Sequence, residues 1–177
     1  MKRSHILAAV VFAALFTSGA AAQDVSCTSY LWDLCFLAGS GDRVTTSFPA
    51  DFVINEIELA SGAHITTYEG LGLADPEQAG IPVELRAYQA AGVLVRVYAS
   101  TERSQRGRYF SLRYGARGNQ VFGWFSTAQE RAAIAEFLST FHACQRGQPN
   151  FASVVCTAEP VFKEGAEVIS TLRADTN

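Results

Sequence analysis

A stretch of alternating residues limits the fold of this chain more than any other feature. Between 43 and 125, several segments place apolar, β-branched or aromatic residues at every second position, which is typical of β-strands. In the first of them Val53 and Ile57 alternate with Glu56 and Glu58. Consecutive strands on short connections predict an antiparallel meander. The predicted strands cover 52–59, 63–69, 83–89, 93–100, 108–114 and 120–125.

The strand pair at 83–89 and 93–100 indicates which side of the sheet faces the core. One side carries mostly valine, and the other carries charged and aromatic side chains. Because successive side chains of a strand point to opposite faces, the valine side is predicted to be buried. The predicted core residues of this pair are Val83, Leu85, Val93, Val95 and Val97.

The period changes after the last predicted strand. Thr127 and Glu130 have the spacing of a capping box, so a helix is predicted to begin there. Apolar residues then recur at steps of three and four, which predicts one buried stripe and a helix that ends near Cys144. The residues after 145 are irregular, and only 161–172 suggests a further short strand or helix. The predicted fold class is therefore α+β, an antiparallel meander sheet covered by one C-terminal amphipathic helix.

The first residues have the three parts of a secretory signal. Lys2 and Arg3 give a positive start, 6–16 are apolar, and Ala22 ends a run of small residues. We predict cleavage after Ala22, a periplasmic location and a single mature domain over 23–177. The apolar run is shorter than the roughly 20 residues that a membrane helix needs, so no transmembrane segment is expected in the mature chain.

Four cysteines flank the alternating region. An even number of cysteines in an oxidising compartment predicts disulfides, and three connectivities are possible. We favour the local pairs Cys27 with Cys35 and Cys144 with Cys156, which would pin both ends of the domain. A zinc site is the alternative, but these cysteine separations match no common C-x-x-C pattern.

Charge argues against one class of partner. The mature chain is net acidic, although the segment 85–117 contains seven arginines and only one acidic residue. Nucleic-acid binding needs clustered positive charge over a whole surface, so we expect no nucleic-acid partner.

The mature chain offers few residues for catalysis. Its only histidines are His64 and His142, and its only lysine is Lys163. It also lacks nucleophile-elbow and H-E-x-x-H motifs. We therefore predict no catalytic residue, no metal site and no cofactor. His142 is expected in the last turn of the helix, where its charge would favour the helix dipole.

Glu56 and Glu58 keep an enzymatic alternative open. Their spacing places two carboxylates about 7 Å apart on one strand face, within the range that inverting glycosidases use. Solvation at the surface explains both residues more economically.

Arginine and tyrosine alternate on three neighbouring predicted strands. Both residue types are enriched at binding hot spots, because each combines a large contact area with directional hydrogen bonds. The alternative is that they pair with one another across strands. The predicted partner-binding residues, expected on one exposed sheet face, are Arg86, Arg96, Tyr98, Tyr109 and Arg113.

The order of the strands, the apolar strand at 121–125 and the helix that begins at Thr127 resemble the small exported α+β proteins of the Mog1/PsbP-like type. The resemblance covers about 43–143 and implies a binding or accessory role. The function predicted from the sequence is an exported, non-enzymatic binding or accessory protein that holds a protein partner, such as an immunity or inhibitor protein. The alternatives are an enzyme that acts on envelope polymers through carboxylates, and a protein that binds a small ligand under the glycine-rich 70–82 loop.

Overall fold

The computed structural model describes residues 29–30, 33–49, 51–72, 81–102, 104–116, 118–146 and 154–174. These residues form eleven strands and two helices. The strands are β1 (Ser29–Tyr30), β2 (Leu34–Phe36), β3 (Arg43–Ser47), β4 (Val53–Glu58), β5 (His64–Glu69), β6 (Pro82–Ala90), β7 (Val93–Ser100), β8 (Arg108–Tyr114), β9 (Asn119–Phe125), β10 (His142–Arg146) and β11 (Val154–Cys156). The helices are α1 (Ala128–Leu138) and α2 (Lys163–Thr171).

Seven of the strands form one large antiparallel sheet in the order β3-β4-β5-β9-β8-β7-β6. The antiparallel pairing that the alternation predicted is confirmed. The strand order is not that of a simple meander, because the chain leaves β5 and re-enters the sheet at its far edge in β6. Strands β7, β8 and β9 then return the chain to pair with β5. The sheet is therefore two short meanders joined along β5 and β9.

The remaining strands form a second sheet in the order β1-β2-β10-β11. A disulfide joins Cys144 in β10 to Cys156 in β11, so the predicted local pair is confirmed. Cys27 lies outside the described residues, and its pairing with Cys35 stays a prediction. The second sheet had no counterpart in the sequence analysis, because β2 and β11 have only three residues each and show no measurable period.

The main core lies on one face of the large sheet, between that sheet, the second sheet and both helices. It contains residues from every layer, among them Leu34 and Phe36 of β2, Ile134 and Phe137 of α1, and Ile169 of α2. We call this face of the large sheet the inner face and the opposite face the outer face. Nothing in the described part of the chain is a helix long and apolar enough to cross a membrane.

The predicted α+β fold with a single covering helix is wrong. The described chain is mostly β-structure, with two sheets and two helices that pack against each other. The helix N-terminus was predicted correctly, because Thr127 and Glu130 form both hydrogen bonds of the capping box. The helix C-terminus was not, since α1 ends at Leu138.

Two side chains help to end α1 early. The hydroxyl of Ser139 donates to Ala135 O and that of Thr140 donates to Phe137 O, so both compete for backbone carbonyls of the last turn. The chain then enters β10, and His142 lies in that strand rather than at a helix end. Its side chain is buried, and Nδ1 lies 2.7 Å from Thr157 O. The predicted helix-dipole role of His142 is therefore wrong.

Candidate functional site

The outer face of the large sheet brings most of the predicted functional side chains together. Strand register places them in rows that cross the sheet. One row runs through Arg43, Glu58 and His64. The next row runs from Thr45 and Glu56 through Thr66, Phe122 and Ser111 to Tyr98 and Glu84.

Three of the predicted partner-binding residues form a compact group on β7 and β8, which we call the arginine–tyrosine patch: Arg96, Tyr98 and Arg113. Arg96 is directly opposite Arg113 in the sheet. The Arg113 guanidinium lies 4.4 Å from the centre of the Tyr98 ring, which is within cation–π range. Arg96 is exposed, and Tyr98 and Arg113 are partly exposed.

Glu84 of the edge strand β6 holds two members of this patch. Its Oε2 accepts hydrogen bonds from Arg96 at 2.7 Å and from the Tyr98 hydroxyl at 3.2 Å. The hydrogen bond from Arg96 lowers the pKa of the Glu84 carboxyl, and the same bond raises the pKa of Arg96. Pairing across strands, the alternative to partner binding, is therefore present and fixes the side chains in place.

Arg86 does not join the patch. A bulge between Glu84 and Arg86 shifts the register, so Arg86 pairs with Val97 on the inner face. Its guanidinium donates to Glu164 of α2 at 3.0 Å. Two predicted core residues of β6 are wrong, because Val83 is 45% and Leu85 43% exposed. Leu85 is the extra residue of the bulge, whereas Val83 lies opposite the buried Ala99 on the inner face of this edge strand.

Tyr109 lies on the outer face but is buried, with 1% of its surface exposed. It packs with Phe122, Trp124 and Tyr68 in a small cluster separate from the main core. The predicted exposed face therefore reduces to Arg96, Tyr98 and Arg113.

A cleft of about 660 Å³ also lies on the outer face, at the opposite end of the sheet from the patch, over β3, β4, β5 and the end of β9. Glu56 and Glu58 line it, together with His64, Trp124 and Arg106. Arg43 forms an ion pair with Glu58, so one carboxylate of the pair is already engaged. The Arg106 guanidinium lies 5.3 Å from the centre of the Trp124 ring.

Trp124 and Arg106 were not predicted as site residues. Trp124 continues the alternation of Gln120 and Phe122 on β9, so its face of the sheet could have been predicted from the spacing. Its position next to His64 depends on the pairing of β5 with β9, which is not sequential. Arg106 lies in a loop, where no periodicity exists to predict a direction.

The three described cysteines lie close together, but not all of them are available as metal ligands. The sulfurs of Cys35, Cys144 and Cys156 lie within 4.8 Å of one another. Metal binding needs thiolates, and the Cys144–Cys156 disulfide removes two of them. The middle of the 70–82 loop, 73–80, lies outside the described residues, and the predicted ligand site beneath it stays a prediction.

No protein-family model, no curated protein and no solved structure matches this chain. The resemblance to Mog1/PsbP-like proteins stays a prediction.

Proposed function

We propose that this is an exported, non-enzymatic binding or accessory protein that holds a protein partner through the arginine–tyrosine patch, in the manner of an immunity or inhibitor protein. The observation that carries the proposal is the grouping of Arg96, Tyr98 and Arg113 on the outer face. Their side chains remain accessible there, while Glu84 holds Arg96 and Tyr98 and the Tyr98 ring holds Arg113.

The internal contacts of the patch favour binding. A side chain that is already ordered loses less entropy when a partner docks, so less of the interaction energy is lost on association. Glu84 orders Arg96 and Tyr98, and the Tyr98 ring orders Arg113. Arginine and tyrosine are also the residue types that most often dominate interface energies.

The contacts within the patch contribute little to the stability of the fold. Arg96 and Glu84 have side-chain exposures of 45% and 36%, and ion pairs at such solvated sites contribute little to stability. Two arginines opposite each other on neighbouring strands also repel each other. A cluster that stabilises the fold so little is better explained by a role in binding.

The carboxylate-based enzyme is the weaker candidate. Its mechanism needs two carboxylates with different tasks, one as acid and one as base or nucleophile. Glu58 is engaged by Arg43, so within the described residues of the cleft only Glu56 remains from the proposed pair.

Substitutions in the patch test the proposal. The tagged full-length protein is cross-linked in the periplasm, the protein it holds is identified, and the affinity for that purified protein is measured for each variant. Arg96→Ala and Tyr98→Ala should each weaken the complex by about thirtyfold or more, which is the size of a hot-spot effect. The effect of Arg96→Ala should shrink as salt rises, because salt screens exposed charges, and that of Tyr98→Ala should not.

Arg173→Ala is the matched control, since Arg173 is exposed beyond the end of α2, away from the patch. Its affinity should equal that of the wild type. The patch proposal fails if Arg96→Ala and Tyr98→Ala keep their thermal stability and also bind the partner with wild-type affinity.

A further inference from the structure

We propose that the cleft over β3, β4 and β5 binds a neutral oligosaccharide. The inference is independent of the arginine–tyrosine patch, because the two sites share no residue. It follows from the size of the cleft, from the balance of its uncommitted charges and from the side chains that form its floor.

The dimensions of the cleft fit a ligand of several rings. Its volume of about 660 Å³ lies within the range of small-molecule sites, roughly 300 to 1,000 Å³. Its floor crosses four strands, from Arg43 on β3 to Trp124 on β9, and neighbouring strands lie about 4.8 Å apart. The floor is therefore longer than a single sugar ring.

Among the described residues, the charges that line the cleft leave one group of each sign without an ion-pair partner. Arg43 and Glu58 neutralise each other in an ion pair. The Glu130 carboxylate accepts hydrogen bonds from the amides of Ser126 and Thr127 as part of the helix cap. Glu56 and Arg106 remain. A phosphate would need several cations and a polyamine several anions, so this balance favours an uncharged ligand.

The polar groups on the floor match hydroxyls. A hydroxyl both donates and accepts hydrogen bonds, and the floor offers both kinds of partner. The Glu56 carboxylate has no ion-pair or hydrogen-bond partner in the described part of the chain, and it lies in one row with Thr45 and Thr66. The exposed His64 ring adds a donor and an acceptor in the next row.

Trp124 supplies the apolar part of the site through the part of its ring that the Arg106 guanidinium leaves uncovered. Sugar rings have C–H faces that pack on aromatic surfaces, and the indole carries the largest such surface among the side chains. Its Nε1 is buried and has no hydrogen-bond partner among the described residues. A buried donor without a partner is destabilising, and a movement of the indole that brings this N–H to the cleft would let a ligand hydroxyl accept from it and remove that cost.

Titration with neutral trisaccharides tests the proposal. Maltotriose, cellotriose and triacetylchitotriose are added to the full mature protein, and binding is measured by calorimetry and by the shift of the Trp124 indole N–H resonance. At least one trisaccharide should bind and move this resonance. Glu56→Gln should weaken that binding by about tenfold or more, because a hydrogen bond to a charged acceptor is stronger than one to a neutral amide.

Two variants and two competing ligands serve as controls. Glu136→Gln changes an exposed acid on α1, and Arg96→Ala changes the patch; both should bind the trisaccharide as the wild type does. Spermidine and inorganic phosphate should not compete. The inference is overturned if no trisaccharide binds at millimolar concentration, if only spermidine or phosphate binds, or if folded Glu56→Gln keeps wild-type affinity. None of these results bears on the patch.

Discussion

The hydroxyl of Tyr88 ties the edge strand β6 to helix α2. It donates to Val161 O at 3.0 Å and accepts from the amide of Gly165 at 3.1 Å. Gly165 allows this close approach, because a side chain there would collide with Leu112 of the sheet. Burial raises the pKa of Tyr88 to about 12, against about 10 for an exposed tyrosine.

Stability is therefore expected to depend on Tyr88 at alkaline pH. The unfolded chain loses this proton near pH 10 and the folded chain keeps it until about pH 12, so the contribution is complete below pH 10 and is lost as pH rises through 12. Tyr88→Phe should cost about 1 to 3 kcal/mol near neutral pH. In denaturant melts at a series of pH values, the difference in free energy of unfolding between Tyr88→Phe and the wild type should fall by roughly 2 kcal/mol between pH 10 and pH 12. A difference that does not change with pH would contradict the role assigned to the hydroxyl.

Single residues could be placed from the sequence only where the register was regular. Val95 and Val97 are fully buried as predicted, since β7 has no irregularity. One extra residue in β6, Leu85, moves Arg86 to the inner face opposite Val97 and is itself exposed. A bulge depends on contacts with the neighbouring strand and with α2, and alternation within one strand does not reveal it.

At the scale of elements, α1 joins the two sheets. Phe137 is 5% exposed, and its ring centre lies 5.4 Å from those of Phe36 in β2 and Phe141. Phe137→Ala should lower the free energy of unfolding by about 3 to 5 kcal/mol, because the two sheets are rigid and cannot close in to fill the cavity left by the ring. Glu136→Ala on the exposed side of the same helix should change stability by less than about 0.5 kcal/mol. A loss below about 1 kcal/mol for Phe137→Ala in denaturant melts would mean that the stripe does not carry this packing.

Six of the seven strands of the large sheet, all except β3, and the start of α1 were predictable because each has a local signal. Alternation located β4 to β9, and the capping box located Thr127. The second sheet has no such signal, since its strands are short and come from opposite ends of the chain. The cleft was missed for a related reason: its floor exists only because β5 pairs with β9, and three strands separate these two in the sequence.

At the scale of the whole molecule, a disulfide joins β10 and β11, two neighbouring strands of the second sheet. Cys144 and Cys156 are 12 residues apart, and cross-linking a loop of this length stabilises a domain by about 3 kcal/mol in the chain-entropy model. Replacing both cysteines with alanine should cost a similar free energy of unfolding, measured in denaturant melts. The disulfide would form during folding only in an oxidising compartment, so its presence is linked to the proposed export.

Chemical labelling of the full chain recovered from the periplasm tests the disulfide and the export signal together. Intact mass should show a chain that begins at Gln23, and alkylation in denaturant before reduction should label neither Cys144 nor Cys156, whereas alkylation after reduction should label both. Denaturant is needed in every sample because both sulfurs are buried, and a buried thiol would also resist labelling. The predicted pair of Cys27 and Cys35 should behave in the same way. The same chain produced in the cytoplasm without 1–22 is the control, and there the cysteines should react before reduction because thiols are kept reduced.

Labelling of Cys144 or Cys156 in the periplasmic sample would contradict the disulfide, and a chain that keeps 1–22 would contradict the signal. Resistance to labelling in both samples would leave the disulfide intact but remove its value as an argument for export, since the bond would then form wherever the two strands pair.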